Sequence, residues 1–498
     1  MRYAGGQFML EIPGDAVFAY SITQEPDEAF AQSEELAGSL FLNTTEKTES
    51  REFTNAEGSS QAVVIGFCVD AHGERSRDEI PQMILEAAAE SGIKYAYELC
   101  NRLAGKYVVY LSVDGVEVVW GDATCSMSVF YTHEDPVVAC GVSENLVGAY
   151  VSNRSDSQMV KITTNAPDGQ PLPNNVTSFD HVRILLPNHI LYVRQQYAER
   201  VWRTPGLVRR TALDEVVVKT LLLMKNIYRE YNKYYDLLCP LTAGYDSRIN
   251  FAFMKELGDN PATFTFRHPS FTDETPDLKI SHVISEYYGV PHSIVMDSRM
   301  EESEKSHYKR IVGRDATDYS LNLALTIRKT FGNRAILNGN IIDQIGKSVT
   351  GNNVPDRLAS PSFVRSRIYN SGKPALQILG LYLRDVRQNC GNDVFDVLAW
   401  EQDCCRWGTQ SDITYGMCGV NMLTLSNCRE LILEWIKVPR KQRVRKELHK
   451  SLFQQLDPKL LSFGFTPESN IKRIVRLNWP IFYLSCYGYG WYVSRHSR

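Results

Sequence analysis

Cysteine pairs at zinc-binding spacing are missing from this sequence of 498 residues. The eleven cysteines are odd in number and scattered, and the adjacent Cys404 and Cys405 are poorly placed to chelate one ion together. The ten histidines are dispersed too, without a His-Glu-x-x-His pair. The sequence therefore predicts free buried thiols rather than disulfides or a structural metal site, and it argues against a metal hydrolase.

Long apolar runs are missing as well. No stretch approaches the roughly eighteen apolar residues of a membrane span, and the first six residues lack the apolar core of a signal peptide. The net charge of −4 and the pI of ≈ 6.2 give no electrostatic footprint for a nucleic acid or an anionic membrane. We therefore expect a cytoplasmic protein with neither of these partners.

What the sequence has is the composition of a folded globular protein, with 43% apolar and 22% charged residues. Its length suggests two or three domains. The basic, polar stretch at 200–212, with Pro205 and Gly206, is typical of a linker. We place the boundary there, with one domain at residues 1–203 and a second at 204–498.

The first part of the chain has mainly strand patterns. Apolar runs at 8–12, 16–20 and 62–68 predict strands, and the alanine-rich stretch 84–104 predicts a helix. Residues 106–111 and 116–120 flank Asp114 and Gly115, a tight hairpin signal, and residues 127–131 predict one more strand. An antiparallel meander is expected here.

The stretch 237–248 organises the second part. An apolar run stops at Thr242, Ala243 and Gly244, and apolar residues then recur at helical spacing, which predicts a buried strand, a loop and a helix. Free N–H groups at a helix N-terminus favour an anion, and small residues let the backbone approach it, so the loop suits polyphosphate. Asp246 next to a phosphate requires an intervening cation such as Mg²⁺.

Strands at 262–266, 290–295 and 335–339 alternate with helical patterns, which predicts a parallel sheet with ligands at the carboxyl ends of its strands. The last of these strands is followed by Asn340 and Asp343, a second polar cluster at the same edge. From about residue 355 the pattern is mainly helical.

These two clusters carry a resemblance to a known family. Leu-Thr-Ala-Gly-Tyr-Asp-Ser at 241–247 is similar to the Ser-Gly-Gly-x-Asp-Ser pyrophosphate loop of the asparagine synthetase family, which includes β-lactam synthetases and lasso-peptide cyclases. Residues 337–344 resemble its Ser-Gly-Glu-Gly-x-Asp-Glu loop, and residues 105–131 and 184–191 resemble parts of its glutaminase domain.

The resemblance implies a fold and an activity. The fold is α/β, with an N-terminal Ntn-type αββα domain like that of class II glutamine amidotransferases. A C-terminal, doubly wound parallel-sheet ATP-pyrophosphatase domain, of the adenine nucleotide α-hydrolase type, follows and ends in a helical part. The implied enzyme adenylates a carboxylate with ATP and Mg²⁺, releases pyrophosphate, and lets an amine displace AMP to form an amide.

The resemblance also implies roles for particular residues. Asp246 and Asp343 would hold Mg²⁺, Lys347 would meet phosphate, Asn340 would orient the amine, and Lys472, or in its place Lys459, would neutralise charge on the adenylate. The residues implied in ATP binding are Leu241, Thr242, Ala243, Gly244, Asp246, Ser247, Thr265 and Gly339.

Two departures from the family pattern change the expected chemistry. The family's glutaminase uses an N-terminal cysteine, whereas Arg2 stands at position two here, so we predict no glutamine hydrolysis. Asn340 and Ile341 replace the usual Glu and Gly of the second loop, and an asparagine can hydrogen-bond an amine but cannot take its proton.

Two other functions stay open. One is a nucleotide-binding regulatory or scaffold protein that does not ligate, which the changes at Asn340 and Ile341 favour. The other is a sulfur-transfer enzyme, which needs a reactive thiol, but Cys239 lies in an apparent buried strand where a thiolate is disfavoured. The expected partners are a small-molecule or peptide carboxylate and an amine, and a homodimer is left open.

Overall fold

The computed structural model describes residues 10–152, 169, 171–202, 210–258, 260–296, 298–368, 374–391 and 393–496. Arg2, the linker residues Pro205 and Gly206 and the domain boundary at 203/204 lie outside these ranges.

Two antiparallel sheets of six strands each occupy the first two hundred residues. Their strand orders are β10-β8-β9-β1-β3-β2 and β12-β11-β7-β6-β5-β4. In chain order the strands are β1 Tyr20–Thr23, β2 Gln32–Leu36, β3 Leu40–Thr44, β4 Ser50–Thr54, β5 Gln61–Asp70, β6 Leu103–Val113, β7 Val116–Gly121, β8 Phe130–Thr132, β9 Ala139–Gly141, β10 Val182–Ile184, β11 His189–Tyr192 and β12 Tyr197–Arg200. The helices here are α1 Ile80–Ser91, α2 Ile93–Leu99 and α3 Glu144–Ser152.

The alternation of side chains along β5 explains how these sheets are layered. Val63, Ile65 and Phe67 belong to the large apolar core that the two sheets share, whereas Val64 and Cys68 belong to a second core with α1 and α2. Successive side chains of a strand point to opposite faces, so one strand supplies both cores. With α3 against the other sheet, the order of layers is helix, sheet, sheet, helix.

A five-stranded parallel sheet with the order β15-β14-β13-β16-β17 forms the next unit. Its elements are α4 Leu213–Tyr234, β13 Leu237–Pro240, α5 Tyr245–Glu256, β14 Ala262–Arg267, α6 Pro276–Tyr288, β15 His292–Met296, α7 Glu302–Val312, α8 Asp318–Phe331, β16 Ala335–Leu337, α9 Asn340–Gly346 and β17 Met422–Leu423. The predicted strand, loop and helix at 237–256 is confirmed, and β13 is central because its apolar side chains are covered on both faces.

The remaining chain is helical, as predicted. Its helices are α10 Pro361–Arg367, α11 Pro374–Cys390, α12 Val394–Leu398, α13 Thr409–Met417, α14 Arg429–Lys437, α15 Arg440–Val444, α16 Glu447–Leu456, α17 Asn470–Leu477 and α18 Trp479–His496. The segment Ala399–Gly408 between α12 and α13 is π-helical, a rare geometry that often marks functional sites.

Buried polar contacts join the antiparallel and parallel parts. The Asn427 side chain donates to Gly105 O at 2.5 Å and to Asp122 Oδ1 at 2.9 Å. Glu401 of the π-helical segment accepts from Arg200 Nη2 at 2.8 Å. One continuous apolar core also includes residues from both parts, so the division at 203/204 stays a prediction.

Several predicted element bounds are wrong. The helix expected at 84–104 is two helices separated by Gly92, whose φ of 88° is accessible to glycine, and a strand starts at Leu103. Residues 10–12 are irregular, and the strands expected at 16–20, 127–131 and 290–295 each begin two to four residues later than expected. Within the described ranges, no helix has the length and apolarity to cross a bilayer.

Candidate functional site

The loop after β13 is the first part of the site. Its three successive backbone N–H groups all donate to side chains: Thr242 N–H to Ser247 Oγ at 3.2 Å, Gly244 N–H to Thr242 Oγ1 at 3.1 Å, and Ala243 N–H to Asp277 Oδ1 at 2.9 Å. Gly244 is also the N-cap of α5. The donors expected for phosphate are thus present, and one of them already holds a carboxylate.

Two carboxylates and one ammonium meet beside this loop. Lys347 Nζ donates to Asp246 Oδ2 at 2.7 Å and also to Asp343 Oδ1. Asp246 comes from the start of α5 after β13, whereas Asp343 lies in α9 after β16, the strand next to β13. The carboxyl ends of two adjacent parallel strands therefore bring the predicted pair together, as expected for this topology.

His449 on α16 completes this cluster. Its Nε2 lies 3.0 Å from Asp246 Oδ1, and its side chain is fully buried. Because an ionised carboxylate only accepts hydrogen bonds, Nε2 carries the proton, and the buried Nδ1 has no hydrogen-bond partner among the described residues. Burial lowers the pKa of His449 despite Asp246, so the ring is neutral at pH 7.

The two carboxyl groups have opposite pKa shifts. Burial raises the pKa of Asp246, but the His449 hydrogen bond and the Lys347 charge outweigh this, so the net shift is downward. Burial and the Asp246 charge raise the pKa of Asp343 to about 6, against the opposing effect of Lys347. Because of its two acidic neighbours, the pKa of Lys347 is raised although burial lowers it. The Asp246 carboxyl is therefore ionised at pH 7, whereas the pKa of Asp343 lies about one unit below that pH.

As arranged, the cluster does not fit a resident Mg²⁺. Both Asp246 oxygens are engaged, and the Lys347 ammonium lies between the two carboxylates that were expected to hold the metal. Among the described residues, no group of three or more His, Cys, Asp or Glu side chains is placed to hold a metal ion. The structure supplies an ammonium as the cation, and the magnesium assignment stays a prediction.

The two loops touch each other directly. A Cβ added at Gly339 would lie 2.8 Å from Asp246 Cβ, so only glycine fits there. Asn250 Nδ2 donates to Asn338 O at 2.9 Å and so ties α5 to the end of β16. Gly339, which the resemblance implied in ATP binding, is required here by the close approach of Asp246.

Aromatic and basic side chains from α5 and from the helical part cover the loop. Tyr245 stacks on Phe465 with ring centroids 3.8 Å apart. Lys446 Nζ lies 4.7 Å from the Tyr245 ring centroid. Buried Arg248 donates from Nε to Thr242 O at 3.1 Å and lies over Phe465. The loop thus has three nearby cations, Lys347, Lys446 and Arg248, which favour an anion.

A shallow cleft that is partly open to solvent lies between the antiparallel and parallel parts. Asn340, Ile341 and Gln344 of α9 line it together with polar residues that include Lys106 and Asp412. The same short helix therefore borders the cleft with one face and holds Asp343 toward Asp246 with another. The cleft therefore reaches the second loop.

Other predicted site residues lie elsewhere. Leu241 and Thr265 are buried, and Thr265 Oγ1 donates to Leu241 O at 2.6 Å. They therefore stabilise the start of the loop from its buried side. Lys472 lies exposed on α17, and Lys459 lies over the Tyr287 ring at 5.0 Å. The structure does not bring either lysine to the carboxylate cluster, whereas it does bring Lys347.

Sequence reasoning missed His449, Lys446 and Asp277. They come from α16, its N-cap and α6, and none has a local motif. Lys446 has a φ of 61°, which is uncommon for a residue other than glycine, but such strain leaves no pattern in the sequence. Only the tertiary fold brings these side chains to Asp246 and the loop.

Sheets and helices together define a mixed α/β protein with two antiparallel sheets and one parallel sheet. No family model and no curated protein matches the chain. A solved structure that is similar in part is the glutamine phosphoribosylpyrophosphate amidotransferase from B. subtilis complexed with ADP and GMP. The identity is 8%, the match covers 59% of this chain and 65% of that chain, and the TM-score is 0.23. The match spans less than two thirds of that enzyme, and so low a TM-score supports no inference about function.

Proposed function

We propose that this protein is an ATP-dependent, AMP-forming ligase that adenylates a carboxylate and passes it to an amine. One observation carries the proposal: the ends of adjacent parallel strands bring Asp246 and Asp343 onto one ammonium, beside a loop of three consecutive N–H donors. A carboxylate-activating site needs this combination of anion donors and fixed positive charge.

The proposed reaction has two steps. A carboxylate oxygen attacks the α-phosphorus of ATP and pyrophosphate leaves, giving an acyl adenylate. The amine nitrogen then attacks the acyl carbon, AMP leaves, and the amine loses a proton. We propose that the amine comes from a substrate rather than from glutamine.

The chain's own groups would divide the work of binding. The N–H groups of Thr242 and Gly244 would exchange side-chain oxygens for phosphate oxygens, and the Ala243 N–H would exchange Asp277 for phosphate. Lys347 and Lys446 would neutralise charge, Lys347 by giving up part of its contact with Asp343. Asn340 is exposed at the start of α9, beside the cleft, where its amide would orient the amine.

A second candidate is a nucleotide-binding protein that does not ligate. The observation that favours it is the internal pairing of the cluster, because Lys347 contacts both carboxylates and the loop donors already have partners. Sulfur transfer is less favoured, since Cys239 is buried and burial raises the pKa of its thiol.

Substrate-dependent ATP–pyrophosphate exchange over a panel of carboxylic acids tests the ligase proposal. We expect exchange with at least one acid, its loss in Asp246→Asn, and its retention in Asp236→Asn. Asp236 is a matched control because it precedes β13 at the opposite, amino end of the same strand. ATP binding without exchange would favour the second candidate, and ADP as the product nucleotide would exclude the adenylation mechanism.

A further inference from the structure

The helix α17 is amphipathic, and its apolar face is exposed to solvent instead of packing on the protein core. Ile471, Ile474 and Leu477 lie three residues apart along one face, and Ile471 and Ile474 are 75% and 53% exposed. No residue of α17 is buried. A surface helix normally turns its apolar face to the core, so this apolar face lacks its usual cover.

The polar side of α17 is the side that is anchored to the protein. Arg476 forms an ion pair with Glu468 at 2.8 Å and donates to Val444 O, and its own carbonyl accepts from Asn352 Nδ2 at 2.7 Å. These contacts fix the rotation of the helix about its axis. The contacts of Arg476 therefore hold the two isoleucines in their exposed positions.

The apolar surface continues into α18. Ile481 and Leu484 are exposed, the latter by 69%, while Tyr483 of the same helix stacks on Phe363 in the interior. Trp479 is half-buried at the junction of the two helices, and tryptophan is enriched where proteins meet a bilayer surface. Five large apolar side chains are thus exposed within fifteen residues, which is denser than scattered surface leucines.

The charge around this surface is positive. Beside α17, one carboxylate, Glu468, is surrounded by the three cations Arg476, Lys446 and Arg473. Lys472 and Arg473 are exposed on the flanks of the apolar face. An apolar helix face with basic flanks is the pattern of a helix that lies in a membrane interface.

We propose that α17 and the first half of α18 form a docking surface for an anionic lipid bilayer, with the apolar face in the headgroup boundary and the cations on the lipid phosphates. Two-fold packing against a second copy would bring like charges together, which argues against self-association. The two helices would lie along the bilayer surface. The net charge of the whole chain predicted no membrane partner. The proposal differs from that prediction because it depends on the local charge around α17.

Co-sedimentation of the full chain with vesicles tests the proposal. We expect binding to vesicles of phosphatidylcholine with about one third phosphatidylserine, much weaker binding to phosphatidylcholine alone, and a decrease with added salt. Ile471→Ser/Ile474→Ser should bind about tenfold more weakly, and Lys472→Gln/Arg473→Gln about thirtyfold more weakly.

A matched control is the pair Val218→Ser/Leu222→Ser, which removes two exposed apolar side chains from α4 and should leave vesicle binding unchanged. All variants change exposed side chains, and circular dichroism checks that they fold. Equal binding to neutral vesicles, no binding to anionic vesicles, or unchanged binding of either α17 variant would overturn the proposal. So would self-association in solution that Ile471→Ser/Ile474→Ser abolishes, if it occurs without vesicle binding.

Discussion

Lys347→Met tests how the carboxylate cluster is held together. In the structure the Lys347 side chain is 15% exposed and contacts Asp246, which is 16% exposed, and Asp343, which is 36% exposed. Methionine keeps the length of the side chain but removes the ammonium. Two carboxyl groups then face each other without an ammonium between them, and the neutral His449 stays hydrogen-bonded to Asp246.

The expected loss of stability follows from this geometry. Removing one partner of a buried ion pair costs about 3–5 kcal/mol, but solvent screens the more exposed Asp343. We therefore expect Lys347→Met to lower the free energy of unfolding by about 2 kcal/mol at pH 7.5. Asp343→Asn should restore most of this loss, because it removes the repulsion that the variant leaves behind.

Urea unfolding of the wild type, both single variants and the double variant gives the coupling energy between Lys347 and Asp343. We expect a coupling of about 1–2 kcal/mol, within the range for residues in contact. Lys472→Met is the matched control, since this exposed lysine should change stability by less than about 0.5 kcal/mol. Additive effects in the cycle, or a stabilising Lys347→Met, would refute the description of Lys347 as the cation that holds the two carboxylates.

Four further predictions concern single positions. Gly339→Ala should cost about 1–3 kcal/mol of unfolding free energy, since its Cβ would meet Asp246; Gly488→Ala, where a Cβ meets nothing within 4 Å, is the control, and equal effects would contradict the contact. Burial raises the pKa of Asp412 to about 6 in spite of Lys106. Because this pKa is raised in the folded state, the wild type has the stability that protonated Asp412 provides below about pH 4 and loses it as the pH rises through 6. The unfolding free energy of Asp412→Asn, measured in urea, should therefore increase by about 2 kcal/mol relative to that of the wild type between pH 4 and 7. A difference between the two proteins that does not change with pH would contradict this. Iodoacetamide should modify Cys486 before the ten buried cysteines, and fast labelling of Cys239, mapped by mass spectrometry, would reopen the sulfur-transfer alternative. Asp277→Asn should tighten ATP binding about tenfold in calorimetry, because it removes the anion that competes for the Ala243 N–H; weaker binding would assign Asp277 a purely structural role.

Local patterns in the sequence predicted the centre of the site. The apolar run before Thr242 and the helical spacing after Asp246 define β13 and α5, because a buried parallel strand and an amphipathic helix have different periods. The second cluster followed from the same reasoning at β16. Since carboxyl ends of parallel strands share one edge of the sheet, the meeting of Asp246 and Asp343 was also predictable.

The rest of the site depends on contacts across long stretches of the chain. His449 is 203 residues from Asp246, and no spacing rule connects a single histidine on α16 with a loop after β13. The cation between the carboxylates was expected to be Mg²⁺, and Lys347 takes this position because one turn of α9 places it four residues after Asp343. That relation is visible in the sequence, but only the orientation of α9 shows that both side chains reach Asp246.

The partners of the loop N–H groups set the same physical condition for nucleotide binding in both candidate functions. The N–H groups of the loop already donate to Ser247, Thr242 and Asp277. A phosphate therefore binds favourably only if its hydrogen bonds to these N–H groups are stronger than the ones that it replaces. Charge-assisted bonds to phosphate are stronger than bonds to a hydroxyl, so exchange is favourable at Thr242 and Gly244. At Ala243 the present partner is itself a carboxylate, and there the exchange requires the Asp277 side chain to move away from the incoming negative charge. Either candidate must complete that exchange to bind ATP at this loop, so a movement of Asp277 on nucleotide binding tests the loop as the phosphate site. Pyrophosphate exchange then separates the ligase from the protein that does not ligate.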